Sequence, residues 1–315
     1  MPQNFADRLN DAINQRGTCA IVGIDPVTER LPAELRLPDS NRSLTAAVKA
    51  VETFSQAVIE TVAPLVPAVK INSAFFEVFH AAGVAAYYRT VAFAHEKGLL
   101  VIGDIKRGDI GSTAKLYARG HLEPPAFDEI DPACIPDAVT LAGYLGENAV
   151  RPFIDICREH GRGVFILVRP SDPGADLIHN FRGGAESNAT AFYEFMADLV
   201  NEWGNDESLV GSCGYSSVGA VVAAKDARST QALRERMPRT MFLIPGYGAQ
   251  GGTADGCRAC FKPDHSGGIV NASRSVIYAF EKEKYIERFA DDWRKCIAEA
   301  CRDFVSDLTS MFRGT

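Results

Sequence analysis

Short runs of apolar and β-branched residues alternate along the chain with segments whose apolar positions recur at helical spacing. The runs are TCAIVGID (18–25), VPAVKI (66–71), LLVIGD (99–104), DAVTLA (137–142), GVFILV (163–168), VGAVVAA (218–224), TMFLIP (240–245) and GGIVNA (267–272). Between them, LTAAVKAVETFSQAVIETV (44–62) and AAGVAAYYRTVAFAHEKG (81–98) predict amphipathic helices, the second closing on Gly98 in the way helices commonly end. Strand alternating with helix predicts parallel βαβ units, because a parallel neighbour needs a crossover that a helix supplies. Eight such units predict an α/β fold closed into a (β/α)8 TIM barrel, with an open doubly wound sheet as the competing arrangement. No G-x-G-x-x-G follows the first run, which disfavours a dinucleotide fold.

Residues 1–315 read as a single domain, since neither a low-complexity linker nor a sharp shift in composition interrupts the pattern. The opening MPQNFADRLNDAINQRG predicts an N-terminal helix, and EKEKYIERFADDWRKCIAEACRDFVSDLTSMF (281–312) predicts one long C-terminal helix. The longest irregular stretches, 119–136 and 171–190, are both expected on the C-terminal side of the strands, where barrels carry their functional loops.

Composition narrows the partners. With 46% hydrophobic and 23% charged residues, the chain has the balance of a globular protein with a substantial core. Its 33 basic and 40 acidic residues give a net charge of -7, which argues against a nucleic-acid or anionic-membrane surface while leaving room for a local cationic pocket. No apolar stretch approaches the roughly 20 residues that span a bilayer, and the N-terminus lacks the basic-then-apolar design of a secretory signal. A cytoplasmic protein acting on a small molecule is expected. The eight cysteines (19, 134, 157, 213, 257, 260, 296, 301) are scattered and expected to be reduced. Cys257 and Cys260 form a single C-x-x-C without a second pair, which favours packing over a metal site.

The stretch GDIKRGDIGSTA (103–114) places two carboxylates and an ammonium where a buried strand ends. Leu100, Ile102, Asp104 and Lys106 share one parity on an extended strand, so the charged pair falls at the C-terminal rim. Asp25 closes the first run and Lys70 lies near the end of the second. Lys70, Asp104, Lys106 and Asp109 thus form a candidate array of two positive and two negative groups at one mouth. Ordinary rim salt bridges would account for any one of them. Three strands delivering charge to the same edge favour a site. For Asp109, capping of the helix that IGSTAKLYA begins remains an alternative. A second constellation combines the glycine-rich IPGYGAQGG (244–252) with Arg274 just after the eighth run, a pairing suited to a phosphate group.

DIKRGDIGSTA, with VKIN upstream, GID on the first run, PGYGAQGG on the seventh and SR on the eighth, resembles orotidine 5′-phosphate decarboxylase in the longer bacterial form of that family. The resemblance implies a cofactor-free, metal-free lyase of pyrimidine biosynthesis that converts orotidine 5′-phosphate to UMP and CO₂. It implies that Lys106 protonates the carbon that loses CO₂, within the array of Lys70, Asp104, Lys106 and Asp109. It places ribose hydroxyls on Asp25, the pyrimidine on Ser171 and the phosphate on Gln250 and Arg274, with Pro245 opening the seventh loop. It further implies a homodimer with shared active sites, because the counterparts of Asp109 and Thr113 reach into the neighbouring site.

Two positions depart from the family pattern: TLAGYLG lacks the polar residue expected near the centre of the fourth strand, and Ser273 stands where glycine often precedes the phosphate-binding arginine. Mg²⁺-dependent sugar-phosphate barrels such as keto-gulonate phosphate decarboxylase and hexulose phosphate synthase share D-x-K-x-x-D but need a carboxylate where this chain has Lys70, and an ammonium there repels the metal. A non-catalytic phosphate-binding barrel is the third reading. It predicts no need for Lys106.

Overall fold

A computed structural model describes residues 2–38, 40, 42–183, 189–248 and 253–313. Eight strands close a parallel barrel: β1 (Ala20–Ile24), β2 (Ala68–Asn72), β3 (Leu100–Arg107), β4 (Ala138–Leu141), β5 (Gly163–Arg169), β6 (Ser216–Val222), β7 (Thr240–Ile244) and β8 (Gly268–Ala272). Each pairs with its sequence neighbours, and β8 returns to β1 through the register Ala20↔Val270 and Val22↔Ala272. The predicted α/β barrel is the fold observed, and the open-sheet alternative falls. A two-stranded hairpin of Arg182–Gly183 and Thr190–Ala191 lies apart from the barrel.

The burial pattern explains why the strands read as continuous apolar runs. One side of each strand meets the helical ring, where Val22, Val69, Val101, Val139, Val164 and Val270 pack beneath helices such as Leu44–Val62 and Trp293–Arg313. The other side fills the barrel interior with Ile21, Ala68, Ile102, Ala138, Phe165 and Ile269. A strand buried on both faces loses the polar alternation of a half-exposed one. The N-terminal helix, Phe5–Arg16, completes this inner cluster with Phe5 and Leu9. Its Phe5 ring meets Phe165 edge-on at 6.0 Å, and a side chain at Gly163 would put a Cβ 2.1 Å from that ring. The N-terminal end of the barrel is therefore plugged by this helix.

Stepping two residues toward the C-terminal end changes the chemistry of the interior. Ala68 gives way to Lys70, Ile102 to Asp104, Ala138 to Thr140 and Ile269 to Asn271. The same period of two that builds the apolar floor thus delivers polar groups to the mouth above it.

Two expectations need correction. The tail is not one helix: Glu283–Phe289 and Trp293–Arg313 are separated at Ala290, whose φ of 49° is left-handed and cannot continue a right-handed helix. The 119–136 stretch is not a C-terminal loop of the barrel either. Its first residues finish the helix Gly111–Leu122, and the remainder leads back to the start of β4, on the plugged side. The 171–190 stretch does follow the C-terminal end of β5.

Candidate active site

Asp104 is the centre of the polar mouth. Lys70 Nζ lies 2.6 Å from its Oδ2 and Lys106 Nζ lies 2.6 Å from its Oδ1. Thr140 Oγ1 donates to Oδ1 at 2.8 Å. Burial alone would push the Asp104 carboxyl up, but the two ammonium groups and their hydrogen bonds outweigh it and hold the group well below the usual carboxylate range. Burial opposes the charge on Lys70 as well, and there Asp104 and then Asp25 prevail and raise its pKa. The pair is ionised, and each member depends on the other for it.

Asp25 Oδ1 stands 4.0 Å from Lys70 Nζ and has no hydrogen-bond partner among the described residues. Tyr278 fixes the backbone around it: its hydroxyl donates to the Asp25 carbonyl at 2.8 Å and accepts the Val27 N–H at 2.7 Å. Asp25 is thus held in place by its main chain while its carboxylate faces the pocket.

Lys106 occupies an uncommon backbone conformation, with φ of 44°. For a side chain with a Cβ this region costs on the order of 1 kcal/mol or more. The β3–β4 register slips at the same place, between Gly103 and Arg107, so β3 carries an irregularity where it leaves the barrel. Its neighbour Arg107 is anchored to Glu77 at 2.6 Å. The lysine is therefore set by the local break in the strand as well as by simple alternation.

One pocket gathers Asp25, Lys70, Asp104, Lys106, Ser171, Pro245 and Arg274. Three cations face two carboxylates there, so the site is locally positive on a chain with a net charge of -7. Arg274 opens a short helix directly after β8 and Pro245 directly follows β7, which puts them on adjacent strands. Gly246 and Gly248 have φ of 92° and 74°, conformations that favour glycine and turn the backbone beside the pocket. Gln250 lies outside the described residues.

Asp109 and Thr113 are not among the groups lining this pocket. Asp109 does not join the other three charges at its own chain's mouth, and it is not the helix N-cap: that position is Ile110, whose N–H the Asp109 carboxylate accepts at 2.8 Å. Thr113 is exposed on the first turn of the helix.

The further residues lining the pocket include Asn72, Thr140, Tyr247 and Asn271. Asn72 follows Lys70 by two on β2, and Asn271 follows Ile269 by two on β8, so alternation alone identifies both. Thr140 supplies the polar group sought on the fourth strand: it is the first residue of TLAGYLG and the third of β4, so the expected gap in that stretch is not there. Ser273 fits beside Gly23, where any Cβ would lie 1.9 Å from the serine Oγ. Cys257 and Cys260 are buried free thiols, and burial pushes Cys257 up to about 11.

Comparison with known proteins identifies the family to which this fold belongs. The family model described as "Orotidine 5'-phosphate decarboxylase / HUMPS family" matches residues 21–289, from the first barrel strand past the last. The chain belongs to this family. Among relatives of the orotidine 5′-phosphate decarboxylase / HUMPS family, the Rhodopirellula baltica protein named orotidine 5′-phosphate decarboxylase is 36% identical over 297 residues, covering 94% of this chain and 96% of its own. The protein of the same name from Clostridium perfringens (strain 13 / Type A) is 33% identical over 291 residues, covering 92% and 94%. The solved structure of Leishmania donovani OMP decarboxylase superposes with a TM-score of 0.72 at 25% identity, covering 99% of this chain and all of that one. The decarboxylase half of the family's name is the one these named relatives carry.

Proposed function

We propose that the chain decarboxylates orotidine 5′-phosphate to UMP and CO₂, and that Asp104 between Lys70 and Lys106 is the arrangement that performs it. Loss of CO₂ from C6 of the pyrimidine leaves the bonding electron pair on a carbon that the ring stabilises poorly. The site must therefore favour negative charge at C6 over negative charge on the departing carboxylate. Lys106, at the mouth, supplies a cation where the carbanion forms and then donates a proton from Nζ to C6. Asp104 directs that ammonium and stands against the substrate carboxylate. Lys70 keeps Asp104 ionised and in place. These charges are fixed before substrate arrives, so little reorganisation is required during the reaction.

The rest of the pocket suits the remainder of the substrate. Asp25 is an acceptor for ribose hydroxyls, Ser171 bonds the pyrimidine, and Arg274 with Gln250 and the backbone after Pro245 grips the phosphate. Binding at that distant end supplies energy that is used at the reacting carbon.

In this reading the protein works in the cytoplasm as a homodimer whose two sites are shared. The free thiols support the first. The second is supported by Asp109 and Thr113 lying outside their own pocket and by the apolar side chains around them, with Ile110 58% and Leu116 65% exposed.

The carrying observation is the ion-paired Lys70 in the position where a metal-dependent relative needs a carboxylate. The test is loss of the ultraviolet absorbance of orotidine 5′-phosphate on adding purified protein in excess chelator. Turnover undiminished by chelator is expected. No turnover, or turnover only on adding Mg²⁺, overturns the proposal.

A further inference from the structure

We infer that Thr140 is a positioning residue for the reacting lysine, a single hydroxyl that fixes the Asp104 carboxylate and the Lys106 backbone relative to each other. The inference rests on the decarboxylase reading of the site. Thr140 Oγ1 donates its proton to Asp104 Oδ1 at 2.8 Å and accepts the Lys106 peptide N–H at 3.1 Å. Chemistry sets both directions, because an ionised carboxylate only accepts and a peptide N–H only donates.

The same Asp104 oxygen receives the Lys106 ammonium at 2.6 Å. A closed circuit results: from the Lys106 nitrogen to Thr140, on to Asp104, and back to the Lys106 ammonium. Both ends of one lysine are tied together through two neighbouring side chains. This circuit accounts for two features otherwise unconnected, the left-handed φ of Lys106 and the register slip on β3, since the hydroxyl takes a peptide N–H that the displaced strand does not pair regularly.

Thr140 is well suited to hold the circuit still. It is 1% exposed, sits on a strand paired on both sides, and lies level with Phe165 of β5. Its β-branched side chain has few rotamers, so the hydroxyl stays aimed. A threonine that merely filled space would be replaceable by its isostere, and this one would not.

Thr140→Val keeps the shape and removes both bonds, whereas Thr140→Ser keeps the hydroxyl and loses one methyl. For Thr140→Val, kcat on orotidine 5′-phosphate is expected to fall on the order of 10- to 100-fold, as for a lost hydrogen bond to a charged group. KM, and the Kd of UMP by calorimetry, should stay within about twofold, the split that marks an interaction acting at the transition state. Thr140→Ser should recover kcat to within about threefold of the parent, since it restores the donor and acceptor. Should Thr140→Val fail to fold, Thr140→Ala takes its place with the same expected loss. A hydroxyl-free variant with parental kcat overturns the inference, and so does a serine variant as slow as the valine one. Parental protein that does not turn over orotidine 5′-phosphate overturns the decarboxylase reading instead, so the two failures are distinguishable.

Discussion

The Lys106 ammonium lies 2.6 Å from Asp104 Oδ1, on a carboxylate whose other oxygen is held at 2.6 Å by Lys70. The two lysines differ in access: the Lys106 side chain is 49% exposed and that of Lys70 is 9% exposed. Lys106 can reach a substrate above Asp104, and Lys70 is committed beneath it. Lys106→Ala is therefore expected to abolish turnover while the protein folds normally, because removing a half-exposed side chain leaves Asp104 paired with Lys70. Steady-state kinetics alongside a thermal melt checks both halves. Near-parental kcat removes Lys106 from the proton-donor role.

Arg274 meets the pocket at the start of a short helix, on the side where β7 and β8 end. Arg274→Ala should lower kcat/KM by on the order of 2–3 kcal/mol, the size of a charge-assisted contact to phosphate. Comparison with the nucleoside lacking the phosphate identifies the cause. An equal loss on that truncated substrate would show that Arg274 acts elsewhere.

Shared sites make a prediction that no single-chain site makes. Inactive Lys106→Ala protein mixed with inactive Asp109→Ala protein should regain activity after subunit exchange, since a mixed dimer has one site with both lesions and one with neither. With random exchange about half the dimers are mixed, so roughly a quarter of parental activity returns. No recovery despite demonstrated exchange would assign Asp109 to its own chain.

At the plugged end of the barrel a second buried carboxylate is expected to contribute to acid stability. Asp137 accepts from Arg8 at 2.5 Å, from His95 Nε2 at 2.9 Å and from the Val101 N–H at 2.8 Å, while His95 Nδ1 lies 2.7 Å from the Ala133 carbonyl. Burial would push Asp137 up, but the His95 hydrogen bond and Arg8 outweigh it and hold it at about 2. A depressed folded pKa gives stability that is complete above the unfolded value of about 4 and lost as pH falls toward 2. The contribution is on the order of 2 kcal/mol. Asp137→Asn should therefore trail the parent by most at neutral pH, and unfolding free energies from urea titrations should converge by about that amount between pH 5 and pH 2. A constant gap would reject the assignment. His95 runs the other way. Burial lowers its pKa, Asp137 and Ala133 more than restore it, and the raised value means stability present below about 6.5 and lost as pH climbs past the folded pKa.

The barrel and most of its chemistry were legible because both obey one period. Alternation that places Ile102 in the interior also places Asp104 there, and the same count brings Lys70 to the mouth from Ala68. Thr140 escaped because a threonine in a strand reads as ordinary β-branched packing; only its distance to Asp104 and to the Lys106 N–H distinguishes it. The break at Ala290 was illegible for a related reason, since alanine is the best helix former and nothing local announces a left-handed φ there. The 119–136 stretch was misplaced because its polar composition says loop without saying which end of the barrel it serves. Asp109 and Thr113 lie outside their own chain's pocket, and the shared site proposed for them would depend on a second chain, which no periodicity within one chain encodes.

Phe5 and Leu9 fill the far end of the barrel, so traffic to and from the site passes the ends of the strands. That traffic includes protons. Each proposed turnover spends the Lys106 proton on C6, and a fresh one must come from bulk water before the next substrate can react. The half-exposed lysine can take it directly, with no internal relay, but only while the mouth is uncovered. UMP seated between Ser171 and Arg274 would shield that same lysine. Product departure and reprotonation then become a single event, and the enzyme is rearmed by being emptied.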